Sequence, residues 1–151
     1  MSAQYETRTN VKDVVPFFAV MDMKKSLRYY IDGLGFEMKN QWVVDGKIRW
    51  CWLARGGAAL MLQEFAKARA PQGKLGEGVS LNFQCEDALA LYDEFQSRSL
   101  EASEPQVGNG LWDFLVKDPD EYRLHFASPT DVPEETKLSE VRTNQDALPN
   151  R

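Results

Sequence analysis

The chain has 151 residues, 43% hydrophobic, 27% charged and 11% aromatic, a composition that suits one globular domain and excludes a disordered or fibrous chain. Its 18 basic and 23 acidic residues leave a net charge of −5, which argues against a nucleic-acid partner because such affinity rests on neutralising phosphates. No apolar run approaches the ~20 residues of a membrane span, and the polar N-terminal stretch has no signal-type apolar segment, so a cytoplasmic protein without a membrane partner is expected.

Residues 1–13 read as a polar arm, and a first unit is expected over 14–66. Val14 to Val20 is a short apolar run with strand propensity. Asp22 is placed to cap a helix, and Met23, Leu27, Tyr30, Ile31 and Leu34 then recur at helical spacing until Gly35 stops it. A short strand is expected around Gln41–Val44, before the Asp45-Gly46 turn. Two further strands, Ile48–Ala54 and Ala59–Gln63, flank Gly56-Gly57 and predict a hairpin. Counting outward from Arg55 opposite Ala58 pairs Trp52 with Met61 and Trp50 with Gln63, so these four share one face. Cys51, Leu53, Leu60 and Leu62 form the other, wholly apolar face, which belongs under the helix.

After a linker over 67–77 the pattern begins again over 78–130. Val79–Cys85 predicts a strand, Asp87 a cap, and Ala88, Leu91, Tyr92 and Phe95 a second amphipathic helix. Trp112–Val116 and Arg123–Phe126 predict a second hairpin. With a four-residue loop at 118–121, Phe114 faces His125 and Trp112 faces Ala127, which puts both aromatics on the face of His125. Asp22 and Asp87 stand 65 apart, and the same offset lays Phe18 on Phe83. The chain therefore reads as two βαβββ modules in an α+β fold, forming a cupped mixed sheet with helices outside. Residues 131–151 read as a polar tail with at most a short helical turn at 134–141.

One histidine, His125, is present. Zinc fingers, HExxH sites and the two-His-one-carboxylate iron triad each need two, and are excluded within one chain. A Ser-His-Asp triad would have to be built on His125 alone. Cys51 and Cys85 lie in apolar strand-like runs and read as reduced, buried thiols. Asp118-Pro119-Asp120 has the chemistry of a tight turn.

Val15-Pro-Phe-Phe-Ala-Val-Met-Asp22, Ser26-Leu-Arg-Tyr-Tyr30 and Leu34-Gly-Phe36 resemble the opening of vicinal-oxygen-chelate proteins, the superfamily of glyoxalase I, bleomycin-resistance proteins and extradiol dioxygenases. In the second half, Cys85-Glu-Asp87, Phe114 to Asp118-Pro-Asp120, and Leu124-His-Phe126 agree. The resemblance implies paired modules around a ligand and a homodimer. It also implies metal-ligand positions on the first and fourth strands of each module, which fall here on Val15, Met61, Ser80 and His125. Only His125 suits a divalent metal, so no metal and no cofactor is expected.

What remains is similar to the bleomycin-resistance branch, which binds its drug without altering it. Glu121 and Tyr122 depart from the glycine and asparagine usual there after Asp-Pro-Asp, and the polar tail departs from a short acidic end. The resemblance implies metal-independent sequestration of a small aromatic natural product, with a cationic one modestly favoured by the acidic net charge. Trp50, Trp52, Trp112 and Phe114 would stack on it beside Met61, while Gln63, Asn82 and His125 would hydrogen-bond, with Ser80 on the same face. Core or interface packing is the competing reading of the indoles. A ligand contact, a last trace of a metal site and a satisfied core histidine all stay open for His125. No catalytic residue is assigned; the alternative is a diverged metal-dependent glyoxalase-like lyase or isomerase, or a dioxygenase-family enzyme.

Overall fold

The computed structural model describes residues 10–146 and runs through the βαβββ sequence twice. The first module holds β1 (Phe17–Val20), α1 (Met23–Leu27, continued by a π-helical segment Arg28–Gly33), β2 (Glu37–Val44), β3 (Lys47–Arg55) and β4 (Ala58–Glu64). The second holds β5 (Ser80–Gln84), α2 (Ala88–Ser97), β6 (Gln106–Gly108), β7 (Leu111–Lys117) and β8 (Arg123–Pro129), and α3 (Leu138–Asp146) follows. The strands form two four-stranded mixed sheets, ordered β1-β4-β3-β2 and β5-β8-β7-β6. Within each sheet the first strand lies parallel to the fourth, and the other pairs are antiparallel. Among the described residues no helix is long and apolar enough to cross a membrane.

Local chemistry explains the boundaries. Asp22 and Asp87 both sit in extended backbone and accept the amide three residues on, from Lys25 and Ala90, so each satisfies an orphan donor of its helix. Gly35 ends the first helix at φ +78, and a Cβ there would stand 2.6 Å from the Arg55 guanidinium. Asp45 and Gly46 both have positive φ, the two-residue turn that matches strand twist.

The first hairpin has the expected register, with Trp50 opposite Gln63, Trp52 opposite Met61 and Cys51 opposite Leu62. The second differs by one residue: Lys117 pairs with Arg123, Leu115 with His125, and Phe114 with Phe126. The loop holds five residues, 118–122, because Asp118 organises it. Asp118 Oδ1 accepts the amides of Asp120 and Tyr122, both at 2.9 Å, and Glu121 takes a left-handed φ of 70. Tyr122 is drawn away from the ladder to stack on Phe18, with ring centroids 4.0 Å apart. A slip of one residue turns every side chain over. Trp112 and Phe114 therefore point into the core, 6% and 1% exposed, and the expectation that they share the face of His125 is corrected.

The helix-facing sides of both sheets feed one apolar cluster. Leu53, Leu60, Leu62 and Tyr30 bury fully in the first module, and Phe95, Phe114 and Leu124 in the second. Phe36 meets Phe83 edge-on across the modules, at 6.0 Å between centroids.

Each module's hairpin end also reaches the other module's helix. Arg55 makes two contacts to Glu94 on α2, at 2.7 and 3.0 Å, and donates to the Leu34 carbonyl. In the other direction, the Tyr30 hydroxyl donates to Asp118 at 2.7 Å and the Tyr122 hydroxyl to the Ala19 carbonyl at 2.9 Å.

The tail is more structured than its composition suggests. Backbone bonds join Val107 to Thr136 and Glu135, and Leu138 to Pro105, each at 2.9 Å. This segment covers the outer edge of β6, and Leu138 buries at the start of α3. The expected turn at 134–141 is thus replaced by a helix over Leu138–Asp146. The arm expected over 1–13 and the last five residues fall largely outside the described residues.

Candidate functional site

Each sheet has one face against the helices and one turned away from them. On the first open face, β3 contributes Trp50 and Trp52, with Gln63 and Met61 of β4 directly opposite. Phe17 of β1 pairs with Met61 from the other side. Trp42 of β2 lies opposite Trp50. Cross-strand partners share a face, so this one carries three of the four tryptophans. It is not covered: Trp42 is 58% exposed and Phe17 53%, a large apolar patch for a surface that meets only water.

The second open face is polar. Asn82 of β5 pairs with His125 of β8, and Ser80 with Arg123. Asp113 of β7, one ladder step from His125, sets its Oδ1 2.8 Å from the His125 Nδ1. Leu115, the direct partner of His125, gives this face an apolar floor.

Trp50, Trp52, Met61 and Gln63 are thus brought together, as are Asn82 and His125, but on separate sheets. Two clefts lie apart from these residues. One, of about 370 Å³, is lined by Gly35, Arg55, Glu94 and Arg98, and the other, of about 750 Å³, by Ser99, Leu100, Ala102 and Leu115. Neither includes an expected site residue.

Trp42, Phe17 and Asp113 were missed by the sequence reading. From the Asp45-Gly46 turn, Val43 pairs with Ile48, and simple counting would set Trp42 opposite Arg49. A bulge after Val43 shifts Trp42 onto Trp50, and such an insertion leaves no mark in the pattern. Asp113 was hidden by the slipped second hairpin.

Away from these faces, burial shifts several titratable groups. Burial pushes the Asp118 carboxyl up to about 6, against the hydrogen bonds it accepts from Tyr30, Tyr122 and Asp120. Burial also raises Asp120, whose Oδ1 accepts the Met21 amide at 3.1 Å. Cys51 and Cys85 are free thiols; burial pushes Cys51 up to about 11 and Cys85 in the same direction, which suppresses the reactive thiolate.

The metal positions can be tested on donor chemistry. The register pairs Phe17 with Met61 and Asn82 with His125, and Val15 precedes β1 altogether. One imidazole, a thioether and an amide are a poor set for a divalent ion. Among the described residues no three His, Cys, Asp or Glu side chains gather as a metal site. The residues present do not fit such an ion.

Two βαβββ modules, each a mixed sheet with its helix on one side, define the two-module α+β fold of the glyoxalase type. The chain belongs to the Glyoxalase/Bleomycin resistance protein/Dioxygenase superfamily, whose profile matches residues 13–126. Among solved structures it is similar to TnmS3, an antibiotic binding protein from Streptomyces sp. CB03234, with 21% identity, TM-score 0.61, and coverage of 80% of this chain and 98% of that one. It is also similar to TioX from Micromonospora sp. ML1, at 17% identity and TM-score 0.63, covering 79% and 99% of the two chains. A glyoxylase/bleomycin resistance protein/dioxygenase domain from Frankia sp. EAN1pec gives 17% identity and TM-score 0.65, covering 82% and 96%. At these identities the likeness shows the fold. No curated protein sequence matches the chain.

Proposed function

We propose that the protein holds a small planar aromatic natural product without a metal and without altering it. The observation that carries this reading is the uncovered row of Trp42, Trp50 and Trp52 above Met61, since indole faces and a thioether suit a flat, electron-poor or cationic ring system. A relative of the same fold, TnmS3, is described as an antibiotic binding protein, which supports the ligand class. The net charge of −5 modestly favours a cationic ligand.

The exposed Trp42 and Phe17 need a cover, and the occupant proposed is a second copy of the chain. In a homodimer the aromatic face of one protomer would stand against the Asn82 and His125 face of the other, closing two equivalent cups. A cytoplasmic setting fits the unbridged Cys51 and Cys85.

The test is a tryptophan-fluorescence titration with a bleomycin-type glycopeptide and simple planar aromatics, followed by recovery of the ligand. Saturable quenching at about micromolar affinity, weakened about tenfold in Trp50→Ala, with the ligand recovered unchanged, is expected; the loss corresponds to ~1.4 kcal/mol for one stacked ring. Unchanged affinity in Trp50→Ala and Trp52→Ala would overturn the aromatic wall. A chemically altered ligand would overturn sequestration.

A further inference from the structure

We propose that the Asp113–His125 pair is a fixed hydrogen-bond acceptor that anchors the bound molecule by an acidic O–H, so that the ligand class is a phenol-bearing planar aromatic. The inference rests on the reading above, that the open faces take a planar aromatic, and specifies what the polar face recognises.

A carboxylate only accepts hydrogen bonds. The 2.8 Å contact between Asp113 Oδ1 and His125 Nδ1 therefore places the ring proton on Nδ1. In the neutral imidazole the lone pair is then left on Nε2. Among the described residues Nε2 has no hydrogen-bond partner, and the ring is 29% exposed. An oriented acceptor on an open face is of little use to the fold and well suited to a donor that arrives with a ligand. Asn82, the register partner on β5, can contribute its amide to the same ligand atom.

The groups around the ring favour a proton donor that can bear negative charge. From β5 the neighbours Ser80, Asn82 and Gln84 are neutral. From β8 Arg123 lies two residues along the same face, and from β7 Lys117 stands opposite Arg123, while Asp113 is engaged by Nδ1. When the phenol proton is shared or passed on, the O–H bond weakens or breaks as a bond forms at Nε2. The result is a phenolate beside an imidazolium held by Asp113. No electrons are transferred and no other reactant is needed.

His125 is the one histidine of the chain, so imidazole nitrogen NMR on the full-length, untagged protein reads this ring without assignment. The probes are naphthol and its methyl ether, with tryptophan quenching reporting binding of each. The free protein should show the Nδ1–H form, and Asp113→Ala should move the ring toward the Nε2–H form. Naphthol should shift the Nε2 resonance and bind about three- to tenfold tighter than the ether, the range of one hydrogen bond. That preference should vanish in Asp113→Ala, which takes away the acceptor that holds the proton on Nδ1, and in His125→Phe. An Nε2–H form in the free protein would overturn the proposal. So would equal binding of the two probes with Nε2 unmoved, which would leave the aromatic-binding reading standing. Quenching by neither probe would overturn both.

Discussion

The two modules follow the same path and put opposite chemistry on it. The first turns Trp42, Trp50, Trp52 and Met61 outward; the second turns out Asn82, Ser80 and the Asp113–His125 pair. Their mutual clasps differ as well. The Gly-Gly hairpin of the first meets α2 through the Arg55–Glu94 pair, whose side chains are 34% and 28% exposed. The Asp-Pro-Asp hairpin of the second meets α1 through Asp118, which is 3% exposed. A repeated backbone fixes where a side chain stands and leaves its chemistry free. Under the proposed function an aromatic wall and a polar wall would each be half of the binding site, and a buried clasp answers to pH more strongly than a wet one.

The sharpest contrast lies between the core and the open faces. Phe114→Ala should cost about 3–5 kcal/mol of unfolding free energy, because Phe114 stacks on Phe126 at 5.6 Å in the sealed core. Trp50→Ala, on the open face, should cost about 1 kcal/mol or less. Chemical denaturation of both checks this, and similar losses would contradict the face assignment.

The clasps should answer to pH in opposite senses. Asp118 has a folded value raised to about 6, so its contribution is fully present below the ordinary carboxylate range and is lost as pH rises through about 6. Glu94, held below its ordinary value of 4.5 chiefly by the hydrogen bond from Arg55, contributes above that value and loses it as pH falls further. Between pH 7.5 and 5 the wild type should therefore gain stability relative to Asp118→Asn, by about 1 kcal/mol, since roughly one pH unit of that window lies below the folded value. Thermal melts across that range measure it, and parallel pH profiles would contradict it.

Smaller effects belong to the wet clasp. Gly35→Ala should cost about 1–2 kcal/mol by straining a left-handed residue and displacing Arg55. Glu94→Gln should cost about 0.5–1 kcal/mol and less at high salt, since the pair is partly exposed. A salt-independent loss would show that Arg55 matters through packing.

Much of this was legible in the residues. Aspartate caps, a glycine stop and strict alternation place α1, β3 and β4 and give the first hairpin its register, because a two-residue turn leaves one way to count. The second hairpin was not legible, since its loop length depends on Asp118 capping two amides and on Tyr122 leaving the ladder for Phe18 in the other module. Those are tertiary choices. Trp42 was hidden by a bulge, and the edge pairing of the tail by main-chain hydrogen bonds that any sequence can make. The open-face residues expected in the first module therefore stand side by side. Those of the second needed the three-dimensional register.

The most direct test uses the four tryptophans as reporters. Trp112→Phe leaves the three open-face indoles in place, whereas Trp50→Phe removes the one directly opposite both Gln63 and Trp42. On titration with a bleomycin-type glycopeptide, quenching and affinity should be retained in Trp112→Phe and affinity reduced in Trp50→Phe. Quenching that disappears with Trp112 and persists unchanged without Trp50 would contradict this expectation.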